Sequence, residues 1–158
     1  KKVGRELAPW IGVGTGQYPT IDDFGYSETI TFAPLADKPV LVYTSATRHA
    51  DDGRPLHAET GYLRLIGESE VELVIAQAPG LIEAGSGLAT HPGGAEDRHA
   101  VRLAVDSTIV AGTPTAKEVT ATERRYLVTG NRLGYDLAMA AVGLPMTHHL
   151  TAELKRVE

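Results

Sequence analysis

The connections between the candidate strands of this chain are too short to contain crossover helices. Ten segments with strand-like composition follow one another, separated by turn signals such as Asp52-Gly53 and Pro79-Gly80. Because parallel strands need a connection of a dozen or more residues, we predict a mostly antiparallel sheet. The candidate strands run from Trp10 to Gly16, Glu28 to Phe32, Val40 to Thr47, His57 to Ile66, Glu70 to Ala78, Leu81 to Ser86, Ala100 to Ile109, Lys117 to Val128, Arg132 to Val142 and His149 to Arg156.

Ten antiparallel strands are many for one open sheet. Such a sheet closes into a barrel or splits into two packed layers. Closure also removes the edge strands that promote aggregation. We therefore predict an all-β fold, an up-and-down antiparallel β-barrel of about ten strands, formed by a single domain over residues 1–158. Side chains alone do not readily fill a barrel of this width, so it can hold one small ligand.

Composition and charge exclude several classes of protein. The 158 residues have the length of one domain, and 20 acidic against 15 basic residues give a net charge of −5. This balance lacks the basic footprint of a nucleic-acid-binding protein. The chain has no cysteine, which excludes disulfides, zinc–thiolate sites and a thiol nucleophile. No apolar run approaches the roughly 18 residues of a membrane span, so we expect a cytoplasmic protein without nucleic-acid or membrane partners.

Glycine occupies every second position in the first candidate strand, at Gly12, Gly14 and Gly16. The run is not a phosphate-binding loop, because a helix must follow such a loop and Tyr18-Pro19-Thr20 excludes one. One interpretation is a strand that bends sharply or admits another backbone at close range. A second, compatible interpretation is that the glycines leave room for a flat ligand on the inner face. Trp10 is expected to plug the closed end of the barrel.

Motifs along nearly the whole chain resemble the nitrobindin family of haem-binding β-barrels. Trp10-x-Gly12-x-Gly14-x-Gly16, followed by Tyr18-Pro19-Thr20-Ile21, is similar to the opening signature of the family. The segment from Pro55 to Arg64 is close to its most specific internal motif. Further similar segments are Lys38 to Thr44, Val71 to Gln77, Thr115 to Thr120 (as in mycobacterial members), and Met139, Pro145, His149-Leu150 and Ala152-x-Leu154.

Three departures from the family pattern are visible. Ala8 stands where the family has a glycine, Ser45 stands where many members have glutamine, and the stretch from Leu88 to Arg98 matches poorly. None of these departures removes the histidine that the resemblance assigns to iron.

The resemblance implies a lipocalin-like or fatty-acid-binding-protein-like barrel that holds haem b. It implies conversion of peroxynitrite to nitrate at ferric haem, binding of nitric oxide, a scavenging or sensing role, and a possible homodimer. The alternative from another class is a carrier of a fatty acid or other small apolar ligand, without haem chemistry. That alternative predicts an apolar interior with no required histidine.

By the resemblance, His149 is the iron ligand and the catalytic residue. A histidine also suits this role chemically, because the chain has no cysteine and methionine only at Met139 and Met146. The neighbouring His148 is expected on the opposite face of the strand, toward solvent. His57 is either a residue that contacts bound ligand or a polar residue bonded to Glu59 or the backbone.

The other cofactor-binding candidates also come from matched segments. Thr20 and Lys117 are expected to meet the haem propionates, although Lys117 could equally be a surface charge. Gln77 and Met139 are expected to line the pocket, with ordinary barrel filling as the alternative, and Gly12, Gly14 and Gly16 complete the set. We expect the remaining histidines and three arginines to be solvated, namely His49, His91, His99, Arg64, Arg124 and Arg125.

Overall fold

The barrel is closed and consists of ten antiparallel strands. The computed structural model describes residues 8–94 and 96–158, so residues 1–7 and Ala95 lie outside it. Each strand pairs with its neighbours in sequence, and β1 pairs with β10 to close the cylinder, as predicted. The strands are β1 Trp10–Tyr18, β2 Ile21–Pro34, β3 Val40–His49, β4 Pro55–Leu65, β5 Glu70–Gln77, β6 Leu81–Thr90, β7 Ala100–Gly112, β8 Val119–Thr129, β9 Arg132–Ala141 and β10 Thr147–Arg156.

β2 and β6 exceed the lengths that their local sequence predicts by more than any other strand. β2 begins at Ile21 rather than Glu28, because Ile21 already pairs with Tyr18 across a two-residue turn. β6 continues to Thr90, which pairs with Arg102 of β7. In both cases the backbone of the neighbouring strand extends the element beyond the run of typical strand residues. Within the described ranges, no helix has the length and apolar character needed to cross a membrane.

The end of the barrel where β1 begins is filled by apolar side chains. Trp10 is 8% exposed and packs in one cluster with Ile30, Leu133 and Leu154, each at most 1% exposed. The guanidinium of Arg156 lies 5.6 Å from the centre of the Trp10 ring, within the range of a cation–π contact. Trp10 is therefore buried at this end, as expected.

The three alternating glycines of β1 serve close packing inside the protein. A Cβ on Gly12 would overlap the backbone carbonyl of Glu153 on β10, whereas a Cβ on Gly14 or Gly16 would overlap the rings of Tyr26 or Phe24 on β2. The close-approach interpretation is therefore confirmed at Gly12. The idea that the glycines leave room for a ligand is wrong, because neighbouring aromatic rings already occupy the space beside Gly14 and Gly16.

Replacing Gly12 by alanine is expected to destabilise the barrel by about 1–3 kcal/mol, because the new methyl group meets backbone that cannot move without breaking the β1–β10 pairing. Gly134→Ala is the matched control. A Cβ there would meet only the flexible carboxylate of Glu153, so the change should stay within about 0.5 kcal/mol. Urea unfolding of both variants measures the difference, and equal losses would contradict the backbone-contact argument.

Candidate functional site

A cavity of about 900 Å³ occupies the end of the barrel opposite Trp10. Its mouth is bordered by exposed residues such as Asp22, Arg54 and Lys117. β7 and β8 pair only over Ala100–Asp106 and Glu123–Thr129, so their mouth-side halves diverge. Lys117 and Val119 lie on the chain beside this gap and line the cavity.

Five of the nine predicted site residues line this cavity together: His149, His57, Gln77, Met139 and Lys117. Among the described lining residues, Thr20 and the three glycines do not occur. Thr20 is exposed in the turn between β1 and β2. The structure thus assembles the candidate site from β4, β5, β9, β10 and the β7–β8 connection.

A β-bulge determines which of two adjacent histidines faces inward. Leu154, Ala152 and Leu150 alternate on the inner face of β10, and regular alternation would next place His148 inside. The register with β9 instead shifts between His148 and Leu150. The extra residue puts His149 on the cavity wall beside Leu150 and leaves His148 outside, as expected, bonded to the exposed Asp136. A bulge that re-aims a side chain in this way is common next to functional sites.

The hydrogen bond of His149 fixes its tautomer. Nδ1 lies 2.9 Å from the backbone carbonyl oxygen of Gln17, and because a carbonyl only accepts, Nδ1 carries the proton. Nε2 is left with its lone pair, and we find no hydrogen bond to it from residues 8–94 or 96–158. The rings of Tyr18 and Phe24 contact the imidazole edge-on, with centroids 5.6 and 6.4 Å away.

Burial lowers the pKa of His149, although the hydrogen bond to Gln17 opposes this. The imidazole is therefore neutral at neutral pH. A neutral ring with one nitrogen bonded to a carbonyl and the other free is the arrangement that metal-ligating histidines use. Haem iron takes such a nitrogen as its axial ligand.

The rest of the cavity also fits a haem group. Leu137, Met139 and Leu150 surround the histidine with apolar atoms, and the volume is in the range that encloses cofactor-sized ligands. Lys117 is exposed at the mouth, where a propionate would meet both a cation and water. The donor set and the lining therefore fit the cofactor that the sequence predicts.

The floor of the cavity is polar, which the sequence analysis did not anticipate. Arg124 was expected to point outward; this is wrong, since it is 3% exposed. Its guanidinium bonds to Glu59 at 3.0 and 3.2 Å and to Glu83 at 2.6 and 3.2 Å. The alternation of Thr122, Arg124 and Tyr126 with exposed or half-buried neighbours was a signal that could have placed Arg124 inside. We call Glu28, Glu59, Glu83 and Arg124 the polar floor.

Hydroxyl groups complete the polar floor. Tyr135 donates to Glu28 at 2.5 Å, Ser45 donates to the other oxygen of Glu28 at 2.6 Å, and Tyr43 donates to Glu59 at 2.6 Å. Burial raises the pKa of Glu28 against these hydrogen bonds. Burial acts in the same direction on Glu59, but the charge of Arg124 and the hydrogen bond to His57 outweigh it and hold the pKa of Glu59 well below its usual range.

The contact of His57 with Glu59 is confirmed, whereas its contact with a bound ligand stays a prediction. Its Nε2 lies 3.2 Å from Glu59 Oε2, and the residue also lines the cavity. His49 was expected to be solvated, and this is wrong: its side chain is 13% exposed, lines the cavity and stacks on Phe24. The end of β3 lies at the mouth, so a residue beside a loop is still enclosed there.

The other solvation predictions hold in part. Arg64 and Arg125 point outward, with 48% and 43% of their side chains exposed. His99 is exposed, whereas His91 is half-buried and bonds to the backbone carbonyl of Ala100.

Replacing Glu28 by glutamine is expected to change stability in a pH-dependent way. The pKa of Glu28 is higher in the folded state than in the unfolded state. At a pH below the unfolded-state pKa, the wild-type carboxyl therefore makes its full contribution to stability. This contribution is lost as pH rises through the folded-state pKa. The stability of Glu28→Gln relative to the wild type should therefore increase across that interval and then level off. Urea unfolding from pH 4 to 8 measures this, with the exposed Glu72→Gln as control. A pH-independent difference would contradict the raised pKa.

A closed ten-stranded antiparallel barrel with a neutral histidine facing an internal cavity belongs to the class of small-ligand or cofactor-binding β-barrels. Over residues 7–156 the chain matches the family described as THAP4-like, heme-binding beta-barrel domain. The chain belongs to this family, the nitrobindin family that its motifs resemble.

Relatives of known name are similar over almost their whole length. A protein of Mycobacterium marinum named peroxynitrite isomerase 2 is 46% identical over 150 residues, covering 95% of this chain and 89% of that protein. A peroxynitrite isomerase of Nocardia farcinica is 47% identical, covering 95% and 86%. The crystal structure of Rv2717c from Mycobacterium tuberculosis superposes with a TM-score of 0.89 at 41% identity, covering 97% of this chain and 93% of that one.

Proposed function

We propose that this chain binds haem b through Nε2 of His149 and isomerises peroxynitrite to nitrate. The observation that carries the proposal is the tautomer of His149, whose free Nε2 faces a haem-sized cavity while Nδ1 is held by Gln17. The family description and the names of relatives more than 40% identical support the same assignment.

Several residues would prepare the site for this role. The Gln17 carbonyl orients the imidazole, Tyr18 and Phe24 pack against its ring, and Leu137 and Met139 restrict water near it. When bound, haem would supply the iron chemistry for isomerising peroxynitrite to nitrate, a conversion that neither gains nor loses atoms or charge. His57 and Gln77 are two of the polar side chains of the wall that could bond to a small ligand there.

The test is the fate of peroxynitrite mixed with the haem-loaded chain in a stopped-flow instrument. We expect its decay to accelerate at least about tenfold over the buffer rate, which corresponds to about 1.4 kcal/mol of barrier, with nitrate as the product. Free tyrosine added as a trap should be nitrated less. If decay is unchanged while a Soret band shows that haem is bound, the isomerase proposal fails and haem binding survives.

Binding of nitric oxide is a second proposal for the same iron position. A small diatomic ligand needs only the open coordination site and an apolar surrounding, which Leu137, Met139 and Leu150 supply. A shift of the Soret band when nitric oxide is added to the reduced, haem-loaded chain would test it. If the Soret band did not shift, both the scavenging and the sensing role for nitric oxide would be excluded.

The alternative function, a fatty-acid carrier, is disfavoured by the polar floor of the cavity, although the wall is apolar. It predicts an apolar interior, whereas the floor carries three buried carboxylates and a buried guanidinium. His149 would also have no role in it.

Two further expectations accompany the proposal. A chain without cysteine is compatible with the reducing cytoplasm, which cell fractionation would check.

A homodimer would have an apolar surface to cover, since Tyr62, Val74, Ile82 and Ile109 are 46–60% exposed on the outer face of β4 to β7. Sedimentation equilibrium would check it, and a monomer at all concentrations would remove it.

A further inference from the structure

The buried arginine of the polar floor has no donor left for a ligand. A guanidinium has five N–H donors. In Arg124, Nε donates to Glu83, Nη2 donates to Glu83 and Glu59, and Nη1 donates to Glu59 and to Tyr126 at 3.4 Å. All five donors are used inside the protein, although guanidinium is otherwise the side chain best suited to hold a carboxylate.

The floor also carries more negative than positive charge. Glu28, Glu59 and Glu83 are 4%, 9% and 4% exposed, and they face a single buried guanidinium. Glu59 and Glu83 share Arg124, while the hydrogen bonds of Glu28 within the described part of the chain come from the neutral hydroxyls of Ser45 and Tyr135. His57 is a further basic side chain within hydrogen-bonding distance, and it contacts Glu59 from the half-exposed wall.

This negative floor lies where the head group of an inserted molecule would arrive. Glu28, Glu59 and Arg124 line the cavity, together with Tyr43, Tyr126 and other tyrosines. A carboxylate brought to this point would lose water, find no free guanidinium donor and face like charges at short range, so its binding there is unfavourable. A hydroxyl can bond to the carboxylates as a donor, and an ammonium group is attracted to them.

We propose that Glu59 and Glu83 are specificity-determining residues, which occupy Arg124 and so make the floor of this barrel reject anionic head groups while it accepts neutral or cationic ones. Fatty acids are therefore excluded from the floor of the cavity. An apolar molecule that carries an anionic group can bind only if that group stays at the mouth. This inference concerns the apo-barrel and does not depend on the haem function.

The test compares three ligands with the same ten-carbon chain and different heads: decanoate, decanol and decylamine. Each is titrated against the haem-free protein at pH 7.4, with displacement of the uncharged dye Nile red as the readout. We expect decanol and decylamine to bind at least about tenfold more tightly than decanoate. Equal binding of decanoate and decanol would overturn the proposal, as would failure of all three to bind, because head-group charge would then not control access.

The decisive variant is Glu59→Gln with Glu83→Gln, which leaves Arg124 without an ionised partner. Decanoate should now bind at least about tenfold more tightly than in the wild type and should raise the Tm of the variant, since it supplies the missing anion. Adding Arg124→Gln should abolish this gain. Glu72→Gln, whose carboxylate pairs with Arg64 on the outer surface, should leave the head-group order of the wild type unchanged.

The single variants keep the proposal testable if the double variant does not fold. Glu59→Gln and Glu83→Gln each leave Arg124 one carboxylate, so decanoate affinity should rise to an intermediate value. Circular dichroism establishes that each variant is folded. A folded variant that keeps the wild-type preference for decanol over decanoate would overturn the assignment of these two glutamates.

Discussion

Replacing His149 by alanine is expected to lower the affinity for haem by more than about 100-fold, because loss even of the groups that support a metal ligand costs 10–100-fold. The Soret band of the haem-loaded protein should broaden and move toward that of free hemin, and acceleration of peroxynitrite decay should disappear. Titration of the apo-protein with hemin measures the affinity. The barrel itself should stay folded, since His149 lies half-buried on the cavity wall outside the apolar cluster.

His148→Ala provides a matched control from the neighbouring residue. His148 is also an imidazole on β10, but it lies outside the barrel, bonded to Gln17, Asp136 and Thr151. Its removal should leave the Soret position unchanged and alter haem affinity much less than His149→Ala. If His148→Ala lowered haem affinity more than His149→Ala, the assignment of His149 as the iron ligand would be wrong.

Replacing Arg124 by methionine is expected to have the largest effect on stability of any single change in the polar floor. The substitution leaves Glu59 and Glu83 buried without their cation, and breaking a buried ion pair in this way costs about 3–5 kcal/mol. Because Arg124 lowers the pKa of Glu59, the variant should take up protons on folding that the wild type does not. Its stability should therefore fall more steeply than that of the wild type as pH rises from 5 to 8.

Arg125→Met is the control, because Arg125 is adjacent in sequence and pairs with Asp106 on the outer surface. An exposed pair of this kind contributes about 0–1 kcal/mol, so this variant should lose little stability. Urea unfolding at pH 5, 6, 7 and 8 gives both the size and the pH dependence for the two variants. Equal losses at Arg124 and Arg125 would mean that the buried carboxylates are not ionised in the folded protein.

Much of the candidate site was predictable because its residues lie in recognisable segments. His149, His57, Gln77, Met139 and Lys117 were all named from the sequence, and all line the cavity. Their roles toward haem stay predictions. Thr20 lies in the turn between β1 and β2, next to Ile21 and Asp22 of the lining, and its predicted contact with a haem propionate also stays a prediction.

The polar floor was missed for a different reason. Its members come from β2, β4, β6 and β8, so Glu59 and Arg124 are 65 residues apart and Glu83 and Arg124 are 41 apart. A charged residue on a predicted strand is assigned to the solvent face unless its partner is known. The barrel brings these partners together only when it closes, and no local pattern contains that pairing.

The sequence by itself determined the all-β class and a mostly antiparallel sheet, because nearly all of its connections are too short for a crossover between parallel strands. It also determined which segments carry the histidines and the alternating glycines. The family resemblance implied that His149 rather than His148 faces inward, but only the tertiary structure shows the cause, one extra residue in β10. The tertiary structure also decided that rings fill the space beside Gly14 and Gly16, and that Arg124 is buried between two glutamates. Register shifts and contacts across the barrel depend on strands far apart in the chain, whereas strand formation and turn position depend on neighbouring residues.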